Sequence, residues 1–426
     1  MVRHAAAPGR RGLGSFVRYP RREFGCRLCR RIGVVARRPG PRPRPWGGRP
    51  ERRHPASDVR QSLSIASAHR KRRTAGGSSG AEWPKLGADF VKNRTSPWWL
   101  LGILSLFSLG TVILAPFWGA ESIDPWNAWR EWLSQPKEQW SSDAQILAVR
   151  LPRIALAWLA GGSLAMSGAV MQTLLRNGLA TPFTLGVSSA GSFGAFLFIA
   201  FPTLTAYTGG FGLRLGSLTF ALAEIALVLA VAKRSTRAEG LILAGITFNF
   251  LFGAGTMMIR YLADPYRLAS MERWLMGSLD TVTWETPLSL LPWLGGGLIL
   301  VFWRLPALDF LAFDEELAAS RGVAVASARR DLLIGAGILT ASVVAHSGPI
   351  GFLGLLIPHA VRPFTGMNHN LLLPACWISG GGFLVLADLF ARSLQWSGRA
   401  SEMPVGIMTA FLGAPFFLWL LIRGRT

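Results

Sequence analysis

The chain has 426 residues, 50% of them hydrophobic and only 16% charged, with 17 tryptophans and a positive mean hydropathy, a composition suited to lipid rather than water. That excludes an ordinary soluble enzyme. The formal charge of +22 is concentrated at one end, because residues 1–97 hold 24 Lys and Arg against 5 Asp and Glu, leaving the body close to neutral.

Residues 1–91 read Arg/Pro/Gly-rich with little apolar periodicity, too few apolar groups to offset the entropy of ordering, so they are expected to be disordered. Charge without an apolar h-region also makes this stretch a poor signal peptide. Two readings fit it: a polybasic arm drawn to anionic lipid or nucleic acid, or upstream sequence translated from a misplaced start. Residues 92–426 then form the functional domain, and no nucleic-acid partner is expected for it.

From Trp98 the chain repeats apolar runs of about 20 residues, the length that crosses a hydrocarbon core of about 30 Å as a helix. The runs are Trp98 to Trp118, Ile154 to Leu175, Pro182 to Phe201, Leu213 to Ala232, Leu241 to Leu262, Pro287 to Trp303, Leu332 to Ala345, Ile350 to Val361, Leu371 to Phe390 and Val405 to Ile422. They predict an all-α polytopic membrane protein of about ten transmembrane helices. Period-two alternation is missing, which excludes a barrel. Glycines and prolines inside the runs suit close packing and broken helices. Basic residues of the body are nearly balanced between the two sides, so the basic tail places both termini in the cytoplasm.

Cys26, Cys29 and Cys376 give neither a disulfide framework nor a complete zinc site. A phosphate-binding Gly-x-x-x-x-Gly-Lys-[Ser/Thr] loop and a His-Glu-x-x-His helix are missing as well, so the chain is read as a non-enzyme without a bound cofactor or metal.

Separated blocks carry the identity. Arg150-Leu151-Pro152-Arg153 precedes Gly161-Gly162-Ser163-Leu164-Ala165 and Met171-Gln172, followed by Arg176-Asn177-Gly178-Leu179-Ala180-Thr181-Pro182. Asp314-Glu315-Glu316-Leu317-Ala318 runs on to Arg321-Gly322-Val323. Gly348-Pro349-Ile350-Gly351-Phe352-Leu353-Gly354 leads to Pro358-His359 and Arg362, then Ala387-Asp388, Ala391-Arg392 and Glu402-Met403-Pro404-Val405-Gly406. In type and order this set resembles the FecCD-type permeases, membrane subunits of type II ABC importers for iron-siderophore complexes, haem and cobalamin. The resemblance runs from about Trp98 to Arg423. Gly178 stands where the family usually has Pro, Asp314 where its coupling loop has Gly, and Arg321 where that loop has Leu.

The resemblance implies a role for each block. Arg150, Arg153 and Arg392 would receive acidic residues of an external substrate-binding protein, although Arg150 and Arg153 also suit a headgroup anchor and Arg392 could pair with Asp388 one turn away. Asn177 and Leu179 would close the cytoplasmic end of the pathway; Asn-Gly is in addition a strong turn former. Asp314, Glu315, Glu316, Ala318, Gly322 and Val323 would form the coupling helix that meets the ATPase. Pro358, His359, Arg362, Asp388, Glu402, Pro404 and Gly406 would be structural. The implied assembly has two permease copies, or a paralogous pair, two ATPase subunits that bind ATP and Mg, and a binding protein, in a bacterial inner membrane. An iron chelate is the first substrate expected, with cobalamin or haem as alternatives. An ion-coupled carrier fits less well, since it would place ionisable groups at mid-membrane helix breaks.

Overall fold

The structure, a computed structural model, describes residues 98–423 apart from 120, 122, 209–210, 233–237, 281–282 and 395–401. The basic tail expected at 1–91 lies outside these residues. Among the described residues there is no strand, and fifteen α-helices follow one another. In chain order they are α1 (Trp98–Leu114), α2 (Pro125–Ser134), α3 (Ser142–Leu174), α4 (Val187–Ala200), α5 (Pro202–Thr208), α6 (Gly212–Ala232), α7 (Ala238–Leu262) and α8 (Pro265–Leu275). The second half adds α9 (Glu285–Trp303), α10 (Leu305–Leu311), α11 (Glu315–Ser320), α12 (Val325–Ser347), α13 (Leu353–Thr365), α14 (His369–Ser393) and α15 (Val405–Arg423).

The chain is an all-α polytopic membrane protein. Each of the ten predicted runs contains a helix, but five helices among the described residues are long and apolar enough to span alone, or six if α4 and α5 count as one broken span. The difference has a physical cause. Helix α1 is apolar but has only 17 residues, and α12 is buried along most of its apolar stretch, where neighbouring helices rather than lipid cover it, so it needs no unbroken apolar surface. At 13 residues α13 reaches only about 20 Å.

Helix α3 is the central post. Its 33 residues make it about 50 Å long, and its second half is buried continuously from Ala160 to Leu174. Close approach to α14 and α13 is permitted by glycine. A Cβ on Gly161 would lie 2.3 Å from the Gly380 carbonyl oxygen, and one on Gly168 would lie 2.1 Å from that of Gly354, which is the small-residue mode of packing in lipid. Gln172 completes the joint. Pro358 cannot supply the N–H that Gly354 would otherwise receive, and Gln172 Nε2 donates to that carbonyl at 3.0 Å.

Candidate functional site

Arg150 and Arg153 lie one turn apart near the start of α3. Arg153 Nη2 is 2.8 Å from Asp388 Oδ1 on α14, and its Nη1 donates to Glu402. Asp388 is fully buried and also holds Arg392, whose Nε lies 3.0 Å from Oδ2. Arg392 Nη2 donates to the Ala115 carbonyl at 3.3 Å. Two guanidiniums thus neutralise one interior carboxylate, which satisfies the rule that buried charge must be paired. Arg392 was expected to face a partner, but it is 3% exposed; its place between Asp388 and the end of α1 makes it a support rather than a contact. Arg153 keeps 11% of its side chain exposed and Glu402 keeps 44%. Arg150 is half-buried and donates to the Pro116 and Glu121 carbonyls at 2.9 and 2.8 Å.

Glu402 leads into Pro404 and Gly406, and Gly406 N donates to the Gly277 carbonyl at 3.1 Å. A Cβ on Gly406 would meet the Met276 carbonyl oxygen at 2.2 Å, so glycine is required where α15 starts. Beside it opens an apolar groove of about 580 Å³ whose walls include Met276, Pro349, Ile407 and Phe411.

The opposite end of α3 closes differently. Asn177 N donates to Gln172 O at 3.1 Å and Arg176 N to Thr173 O at 3.2 Å, the paired bonds of a Schellman cap. The left-handed position of that cap is Arg176, at φ 46°. Asn-Gly was expected to form a turn, and Ala180 N donates to the Asn177 carbonyl at 3.0 Å across Gly178 and Leu179, although the left-handed residue before it is Arg176 and not Gly178. Instead Gly178 makes room for His359, whose Nε2 would lie 3.2 Å from an added Cβ. His359 Nδ1 is 2.7 Å from the Leu355 carbonyl, a bond within its own helix. Asn177 Oδ1 accepts from Leu179 N at 2.9 Å, and the Leu179 side chain stands 49% exposed beyond the turn.

Asp314 caps α11, accepting from Glu316 N at 2.6 Å. Ala318 is buried, Val323 packs on the core, and Gly322 takes φ 82° to turn the chain toward α12. The two acidic residues point apart. Glu315 turns back to Arg329 and lies 3.7 Å from Arg176 Nη2, whereas Glu316 is exposed beside exposed Phe313 and Leu317. Just before the apolar stretch of α12, Asp331 takes Arg304 at 2.7 Å and Arg330 at 2.9 Å. Desolvation raises the Asp331 carboxyl, but the two guanidiniums together hold it below the usual aspartate range.

Sequence reasoning missed one further group. Thr173 Oγ1 is 2.9 Å from His369 Nε2, and His369 Nδ1 is 2.6 Å from Asp309 Oδ1. A hydroxyl, imidazole and carboxylate in this order match the nucleophilic triad pattern, but His369 is fully buried and Thr173 also donates to the Ala169 carbonyl at 3.0 Å. The group is a joint between α3, α14 and α10. Its members are 60 and 196 residues apart in sequence, so no local motif announces it.

Apolar helices long enough to span a bilayer, packed around a central post, define a polytopic membrane protein. The FecCD transport family profile matches residues 104–423, and the chain belongs to that family of ABC-transporter permeases. It is 35% identical over 349 residues to the hemin transport system permease protein HmuU of Yersinia pestis, covering 79% of this chain and 98% of that one. It is also 35% identical over 338 residues to the vitamin B12 import system permease protein BtuC of Klebsiella pneumoniae, covering 79% and 96%. A solved structure described as an inward-facing metal-chelate type ABC transporter superposes with a TM-score of 0.65 at 33% identity, covering 77% of this chain and all of that one.

Proposed function

We propose that this chain forms the transmembrane pathway of an ABC importer for a metal chelate, with an iron chelate such as a ferric siderophore first and haem or cobalamin next. The names of the similar proteins support this reading, since hemin, vitamin B12 and a metal chelate share one chemistry, a metal ion held in an organic ligand. A separate ATPase pair supplies the energy and a binding protein the substrate. Two permease copies enclose the pathway in a bacterial inner membrane, with both termini cytoplasmic.

One observation carries the reading. Arg153 and Thr173 are 20 residues apart on α3, a rise of about 30 Å, the thickness of the hydrocarbon core. The arginine cluster and the Leu179 turn therefore fall at opposite membrane faces. Arg150 and the exposed edge of Arg153 would meet acidic groups of the binding protein, with Asp388 and Arg392 holding Arg153 in position. Leu179 and Asn177 would close the inner mouth against the second copy. Phe313, Glu316 and Leu317 would form the surface offered to the ATPase.

The test is ATPase activity of the reconstituted complex with haemin, cobalamin and a ferric hydroxamate presented in parallel. Stimulation by one of them, carried by the binding protein, is the expected result; equal activity with and without all three contradicts the metal-chelate reading.

A further inference from the structure

Two polar connections converge on the end of α3 from the same cytoplasmic segment. Asp309 on α10 holds His369, and His369 reaches Thr173 in the last turn of α3. Four residues beyond the end of α10, Glu315 opens α11 and lies 3.7 Å from Arg176, two residues beyond the end of α3. Both links start between α9 and α12, and both end within four residues of Asn177.

Arg176 is the informative residue. The cap position that it occupies favours glycine, because an L side chain at φ 46° is strained. A residue held there persists when its surroundings fix it, and what the Arg176 side chain meets is the Glu315 carboxylate. Glu315 is in turn fixed by Arg329 on α12.

We propose that Asp309–His369–Thr173 and Glu315–Arg176 form a polar strap that transmits movement of the α10–α11 segment to the Leu179 turn, with Arg176 as its positioning residue. The proposal rests on the coupling and gate roles put forward above. The buried link keeps the end of α3 in register with α10. The exposed link pulls on the turn itself, so that displacement of α11 by the ATPase swings Leu179 without bending α3.

The test uses the full complex with its ATPase, with Leu179→Cys as the reporter. Cys26 and Cys29 are replaced by Ser, and Cys376 is buried. Labelling by a membrane-impermeant maleimide is compared between the nucleotide-free complex and the complex trapped with ATP and vanadate. Arg176→Gly removes the side chain while giving the cap its preferred residue, so the fold is retained. In that variant the trapping-induced change in labelling is expected to shrink roughly two- to fivefold, the range that an exposed ion pair supports. Glu315→Gln shrinks it at least as much, and the double variant no further than Glu315→Gln alone. Asp309→Asn, which weakens the buried link, shrinks it by about tenfold. A full response in Arg176→Gly overturns the strap while leaving the gate reading intact. No response to trapping in the reporter protein itself overturns the gate reading, and the strap with it.

Discussion

At the scale of single residues, the charged groups divide by what holds them. Arg153 sits between Asp388 and Glu402, so Arg153→Ala leaves an interior carboxylate with Arg392 alone and is expected to cost about 3 kcal/mol or more in thermal unfolding of the purified permease. Arg150 gives up only bonds to two carbonyls. Arg150→Ala should therefore cost about 1 kcal/mol and show its main effect as weaker, less salt-sensitive capture of the binding protein; unchanged capture would remove Arg150 from the docking surface. Asp331 gives a pH signature. Its carboxyl titrates below the usual aspartate range in the folded protein, so its stabilisation is complete above about pH 4 and is lost as pH falls through the lower folded value. The stability gap between the parent and Asp331→Asn should be constant from pH 7 to 5 and close below pH 4.

At the scale of elements, α3 explains why some of the fold was legible in sequence and some was not. Long apolar runs mark the spanning helices because lipid demands them. The shorter helices α2, α5, α8 and α10 have no such demand behind them and left no apolar run to read. Helix α12 begins at Val325, seven residues before its apolar stretch, because Arg329, Arg330 and Asp331 find ion pairs rather than lipid. The blocks around Arg150, Asn177 and Glu315 were readable as motifs, yet their connections were not. Which of Glu315 and Glu316 turns inward, and that Asp309 meets His369, depends on contacts between distant segments. Glycine crossings provide the check on α3. Gly168→Leu puts a side chain where the Gly354 carbonyl stands and is expected to abolish accumulation of folded permease in membranes. Gly295→Ala, with open space around it, should accumulate normally, and equal loss in both would contradict the packing described.

At the scale of the whole molecule, charge and hydrophobicity separate into a basic tail and an apolar body, and the family match begins at residue 104. Removal of residues 1–91 is therefore expected to leave membrane insertion and transport unchanged, and loss of either on deletion would give the tail a role of its own. In the proposed importer the body converts movement at one membrane face into access at the other. The most direct measurement is uptake of haemin, cobalamin and a ferric hydroxamate into sealed proteoliposomes that carry the permease with its ATPase, with the loaded binding protein outside and ATP trapped inside. Accumulation of one chelate that stops when the ATPase cannot hydrolyse ATP is the predicted result; accumulation that continues without hydrolysis, driven by an ion gradient instead, would contradict the account.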